Sequence, residues 1–121
     1  MKNAKIKAYE DGHRAERLAA AYLRLKGYRI LKMRYKTPVG EVDIIARRGK
    51  NLVMVEVKSR AGKASALESV TTKNQARVMQ AAQYFLAQNQ GYMHLDLRFD
   101  VIVTGLPFFF QHLDNAWQEH T

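Results

Sequence analysis

Two short runs hold the residues of this chain best placed for chemistry: Gly40-Glu41-Val42-Asp43-Ile44-Ile45 and Val53-Met54-Val55-Glu56-Val57-Lys58. The turn signal between them is Arg48-Gly49-Lys50-Asn51. A two-residue loop with glycine first suits a hairpin, because glycine accepts a positive φ there. If Gly49 and Lys50 form the loop, Arg48 pairs with Asn51. Asp43 then faces Glu56, and Glu41 faces Lys58. Side chains alternate with period two, so these four share one face. Val42, Ile44, Val53, Val55 and Val57 form the other, a β-branched wall for a core.

Carboxylates directly opposite each other repel, at a cost of up to about 1 kcal/mol. A cation would neutralise them, and paired oxygen ligands suit Mg²⁺ or Mn²⁺. Lys58 adds a positive charge where an activated water or a phosphate oxygen would sit. A simpler alternative is a solvated antiparallel face with a Glu41–Lys58 ion pair. A one-residue shift of the loop would also take Asp43 out of line with Glu56.

Periodicity supplies the elements around the hairpin. Residues 8–26 read as a helix, with Ala8, Ala15, Leu18, Ala19, Tyr22 and Leu25 on one stripe and Gly27 as its stop. Arg14, Arg17 and Arg24 lie opposite. Glu16 falls at the edge of the stripe, between Gly12 and Ala19 one turn either way, an unusual place for an acid. Residues 28–36 alternate as a strand, and Thr37-Pro38-Val39-Gly40 is a turn. The hairpin strands span about 41–47 and 52–58, and 59–70 read as a loop. A second helix covers about 72–89, with Ser69, Thr71 or Thr72 as N-cap. Its apolar side is Val78, Met79, Ala82, Phe85 and Leu86; its polar side is Lys73, Arg77, Gln80 and Tyr84. Residues 97–104 form an apolar strand around Asp100, and 108–113 a last strand. The order is α-β-β-β-α-β-(β), an α/β domain.

At 121 residues the chain makes one domain with a substantial core. No apolar run approaches the ~20 residues that cross a bilayer, so no membrane role is expected. The N-terminus lacks the apolar stretch of a secretory signal, and residues 1–7 read as a flexible basic tail. The absence of cysteine rules out disulfides and thiolate metal sites, and fits the cytoplasm. His13, His94, His112 and His120 lack zinc-like spacing and read as surface or structural. No P-loop or Rossmann fingerprint is present.

Net charge is +9, and residues 1–36 hold 11 Lys/Arg against three acids. Such a localised basic field points to a polyanion, most often nucleic acid. Lys2, Lys5 and Lys7 read as tail. Arg14, Arg17, Arg24, Lys26, Arg29, Lys32, Arg34 and Lys36 read as a binding surface. Lys73 and Arg77 read as phosphate clamps, and Asp100 as a cap or the partner of a basic residue.

Asp43 followed by Glu56-Val57-Lys58 resembles the D…(D/E)-x-K signature of the PD-(D/E)xK nuclease superfamily. From Gly12 to about Trp117 the chain resembles the YraN-like family of predicted endonucleases. The matching residues are Gly12 to Glu16, Gly27-Tyr28, Gly40 to Ala46, Val55 to Arg60, Lys73, Ala81, Phe99-Asp100-Val101 and Asn115-Ala116. Two departures stand out: Val42 replaces the proline that names the superfamily, and the loop reads Ala61-Gly62-Lys63 where relatives often carry an aromatic-Gly pair.

The resemblance implies a restriction-endonuclease-like mixed β-sheet flanked by helices. It implies that Asp43 and Glu56 bind Mg²⁺ or Mn²⁺, with the Val57 carbonyl and Glu16 as further ligands; the Glu16 acid looks like that of Holliday junction resolvases. Lys58 would orient the attacking water or stabilise the pentacovalent phosphate. Arg14, Arg17, Lys32, Arg34, Lys36, Arg60, Lys73 and Arg77 are the candidate nucleic-acid contacts. The expected activity is endonucleolytic hydrolysis of structured or branched DNA, and the resolvase likeness implies a homodimer. Two other classes fit the order of elements: a non-catalytic nucleic-acid-binding module, and a degenerate nuclease fold kept as a scaffold.

Overall fold

The computed structural model describes residues 4–59, 72–105 and 109–117. Helix α1 (Ala4–Leu25) precedes strands β1 (Arg29–Lys36), β2 (Glu41–Arg48) and β3 (Asn51–Ser59). Helix α2 (Thr72–Gln88) and a short 3₁₀ turn (Gln90–Tyr92) lead to β4 (Asp96–Gly105) and β5 (Phe109–Trp117). The five strands form one sheet in the order β1-β2-β3-β4-β5. The β3–β4 pair is parallel and the others are antiparallel. A parallel neighbour requires a crossover, which α2 supplies. The mixed sheet between two helices agrees with the expected α/β order. The last strand runs on to Trp117, whose ring stacks on Phe99 at 4.0 Å.

The hairpin has the expected loop. Gly49 has φ +59°, and Arg48 pairs with Asn51. Both faces of β2 and β3 are covered. Ile44, Ala46, Val53 and Val55 pack under α1. Ile45, Leu52 and Met54 pack under α2 with Val78, Ala81, Ala82 and Phe85. The simpler alternative of a solvated hairpin face therefore fails over this stretch, because α2 sits on it.

Three expectations are corrected. Helix α1 starts at Ala4, so residues 4–7 belong to it rather than to a tail. Its buried face is Ala15, Glu16, Ala19, Ala20 and Leu23, while Leu18 is 43% and Leu25 90% exposed. Ala15 and Ala19 of the expected stripe are buried, but Ala20 and Leu23 take the place of Leu18 and Leu25, because the small alanines set the face that lies close to the sheet. Val42 joins Ile45 under α2 instead of lying with Ile44. Strict alternation thus breaks at Asp43. The N-cap candidates Ser69 and Thr71, the 59–70 loop beyond Ser59, Phe108 and His120 lie outside the described residues.

Gly40 fixes how α2 meets the start of β2. A Cβ there would stand 1.9 Å from the Arg77 carbonyl oxygen. The preceding turn is closed by Thr37, whose hydroxyl accepts from the Val39 and Gly40 N–H groups at 3.1 and 2.9 Å. This close approach puts Arg77 beside Glu41.

Candidate metal and phosphate site

The β2–β3 ladder runs from Arg48↔Asn51 to Ile44↔Val55. Beyond it, β2 still pairs with β1 as far as Lys36↔Glu41, and β3 pairs with β4 as far as Ser59↔Thr104. The two middle strands are thus held by different neighbours beyond Ile44↔Val55. The Asp43 side chain bridges them there: its Oδ2 accepts the Val57 N–H at 2.8 Å. Glu56 comes from β3, and its carboxyl lies close enough to that of Asp43 for each to perturb the other's protonation.

Both acids are held above the ordinary carboxylate range. Burial is the main cause for each. For Glu56 the Asp43 charge adds to it, and the group is pushed up to about 8. For Asp43, the Val57 N–H and the charges of Lys58 and Arg34 only partly offset burial. A proton shared between two half-buried carboxyls is the expected state of a like-charged pair. Lys58 Nζ stands 3.9 Å from Glu56 Oε2. Glu41 does not pair with Lys58 as the extrapolated register implied; Arg77 binds it with two donors at 2.7 and 3.3 Å. Arg77 is accordingly engaged with a carboxylate rather than standing as an open phosphate clamp.

Glu16 reaches the same region from α1. Burial and the Asp43 charge raise its pKa, while Arg34 opposes them from 3.1 Å. Arg34 has φ +50°, a left-handed conformation that few non-glycine residues adopt inside a strand. Glu16, Arg34, Lys36, Glu41 and Asp43 line a small cleft of about 40 Å³. Arg14, Arg17, Lys32 and Lys73 are exposed, and Arg60 lies outside the described residues.

Among the described residues no three His, Asp or Glu side chains form a ready-made metal cage. The donor set nonetheless fits a hard divalent cation. Two half-buried carboxyls, both raised in pKa, stand where a cation would offset their burial and mutual repulsion, and oxygen is the ligand type that Mg²⁺ or Mn²⁺ takes. Asp43 and Glu56 could hold such an ion, with Glu16 near enough for its pKa to respond to Asp43.

A second polar cluster was not foreseen. Asp100 is fully buried and accepts from Arg98 at 2.9 Å through each of its two oxygens. His112 Nε2 stands 2.6 Å from it, and the Asn115 N–H donates to it at 2.9 Å. Burial raises the Asp100 pKa, but the bonds from His112, Arg98 and Asn115 outweigh it and hold the group low. Asp100 therefore pairs with a basic residue, as the sequence suggested. The i, i+2 spacing of Arg98 and Asp100 on one strand face was the available clue. The pairing with His112 had none.

No helix among the described residues is long and apolar enough to cross a membrane. The sequence profile of the uncharacterised protein family UPF0102 matches residues 15–104. A UPF0102 protein of Chelativorans sp. is 45% identical over 111 residues, covering 92% of this chain and 90% of its own. Bartonella tribocorum has one 46% identical, covering 98% and 85%. Another, from Bartonella bacilliformis, is 45% identical and covers 99% and 98%.

Proposed function

The chain belongs to the UPF0102 family, and on that premise we propose that it is a metal-dependent endonuclease acting on phosphodiester bonds of structured or branched DNA. The Asp43–Glu56 pair carries the reading. Both carboxyls are raised, burial being the main cause, and each perturbs the other at the end of the hairpin ladder, with Lys58 beside Glu56. Setting two acids together in a half-buried place is costly for a purely structural purpose, and perturbed acids beside a cleft favour a site.

Asp43 and Glu56 would hold Mg²⁺ or Mn²⁺, with the Val57 carbonyl and Glu16 as further oxygen donors. The ion supplies Lewis-acid activation of water and screening of phosphate charge. Lys58 orients the attacking water or meets negative charge developing on the phosphate. Arg34 holds Glu16 in place at the cleft and lies within reach of an incoming anion there. Water adds to phosphorus as the phosphorus–sugar oxygen bond breaks. The exposed Arg14, Arg17, Lys32 and Lys36 contribute salt-sensitive affinity without reading sequence.

The test is calorimetric titration of Mg²⁺ and Mn²⁺ into wild type, Asp43→Asn and Glu56→Gln, with a branched-DNA cleavage assay on the same samples. Ion binding and cleavage present in wild type and lost in both variants support the reading. Equal stimulation of wild type and Asp43→Asn by Mg²⁺ sinks the metal site. Salt-sensitive DNA binding with neither ion binding nor cleavage would leave a non-catalytic binding module.

A further inference from the structure

Among the described residues, two groups of cations are held by partners of different kinds. Near the carboxylate pair and in the Asp100 cluster they are matched with acids: Arg34 with Glu16, Lys58 with Glu56, Arg77 with Glu41, and Arg98 with Asp100. At the hairpin end of the sheet they are held by neutral groups. Arg48 donates to the Lys26 carbonyl at 3.2 Å, and its guanidinium lies 4.6 Å over the Tyr28 ring. Arg47 donates to the Gly49 carbonyl at 3.3 Å and lies 5.9 Å over Tyr92. Lys26 Nζ lies 5.1 Å over the Tyr22 ring and 3.2 Å from the Tyr22 hydroxyl.

Lys26 is also positioned from behind. Its ammonium stands 3.1 Å from His112 Nδ1. An ammonium can only donate, so Nδ1 accepts and the ring proton sits on Nε2, donated to Asp100. The His112 side chain is only 4% exposed and Asp100 not at all. The buried Arg98–Asp100–His112 network therefore fixes the direction of a surface cation. Aromatic rings and backbone carbonyls hold Lys26, Arg47 and Arg48 without cancelling their charge. Arg29 and Lys50 are exposed at the same end, where Arg29 pairs with Arg47 across β1 and β2. Asp96, whose N–H bonds the Lys50 carbonyl at 2.7 Å, is an acid there and leaves the end net positive.

We infer that this hairpin end is a second backbone-binding surface for nucleic acid, with Lys26 and Arg48 as pre-positioned phosphate contacts on the α1 side of the sheet and Arg47 at the same end on the α2 side. The inference rests on the nucleic-acid reading above and adds a direction to it. Asp43 and Arg47 lie four residues apart on β2, about 13 Å at strand rise. A B-form duplex covers that in about four base-pair steps. Exposed Lys36, Lys32 and Arg29 lie on the edge strand β1 between the two ends. A duplex arm with one phosphate at the carboxylate pair would follow β1 and reach Arg48 and Lys26 within half a helical turn.

The experiment is fluorescence anisotropy of a labelled duplex against salt concentration, with wild type, Lys26→Gln/Arg48→Gln and Arg29→Gln/Lys50→Gln. The second pair removes exposed cations with little call on the fold, so it carries the test if the first fails to fold. Each lost phosphate contact should reduce the slope of log K against log salt by about 0.9, so each double variant should lose nearly 2 from it. Unchanged slopes in the folded variants overturn the inference. So does a wild type that ignores duplex yet binds phosphatidylglycerol vesicles, an outcome worth reading because Leu25 beside Lys26 is 90% exposed. Calorimetric Mg²⁺ binding should be the same in all three proteins. Its absence would count against the metal site alone.

Discussion

The Val57 N–H donates to the Asp43 carboxylate at a point where the backbone ladder of the hairpin has ended. A side chain has taken over the role of a carbonyl, so β2 and β3 remain joined while an acid is drawn in between them. Removing that acceptor should cost stability as well as any activity. Asp43→Ala leaves a half-buried N–H unpaired and should lose about 1–3 kcal/mol in urea unfolding. Asp43→Asn keeps an amide oxygen for Val57 and should lose much less, while still abolishing ion binding.

Stability should fall with rising pH in the absence of divalent ions. Glu56 has a folded pKa of about 8 against an ordinary 4.5, and Asp43 is shifted the same way. The folded state therefore binds the proton more tightly than the unfolded chain. Its contribution is complete below about pH 4.5 and is lost as pH climbs through 8, by up to about 1.4 kcal/mol per unit. Thermal melts between pH 5 and 8.5 read it directly. Glu56→Gln retains a hydrogen-bond donor toward Asp43 and should flatten the slope. A Glu56→Gln profile as steep as that of wild type would contradict the shared proton.

Divalent ions should reverse that loss. At pH 8 an ion bound by the folded state alone, at a hundred times its dissociation constant, adds about 2.7 kcal/mol. Mg²⁺ or Mn²⁺ should raise Tm of wild type by several degrees at pH 8 and by less at pH 5, where protons compete. Glu56→Gln should not respond.

The contact between Gly40 and Arg77 predicts a cost without any chemistry. Gly40→Ala would drive a Cβ into the Arg77 carbonyl, which belongs to helix backbone and cannot swing aside. A loss of about 3 kcal/mol is expected, with α2 pushed off the start of β2 and the Arg77–Glu41 pair broken. Equilibrium denaturation of the variant checks it.

Asp100→Ala should be the most destabilising of these changes. It strands Arg98 and His112 in a buried setting, at about 3–5 kcal/mol. In wild type the low Asp100 pKa contributes stability that is present above the ordinary carboxylate pKa, 3.8, and lost as pH falls through the folded value. Asp100 and Glu56 thus bend the stability profile at opposite ends of the pH range.

The hairpin register was legible in the sequence because turn chemistry and period-two alternation act within a few residues: Gly49 has the expected positive φ, and Arg48 meets Asn51. The order of helices and strands followed from periodicity for the same reason, and the string from Gly12 onward pointed to the YraN-like group. What needed the tertiary structure was every choice among partners distant in the chain. Glu16 meets Arg34, Glu41 meets Arg77, and His112 joins Lys26 to Asp100 only after the sheet and both helices are assembled. Packing also selected the face of α1. Ala15, Ala19 and Ala20 are small enough to touch the sheet, so Leu18 and Leu25 turn outward although they are the more apolar residues. Val42 left its expected face because β2 loses regular alternation at Asp43, where the ladder to β3 has ended, β1 alone still pairs with β2, and the Asp43 carboxylate links it to Val57.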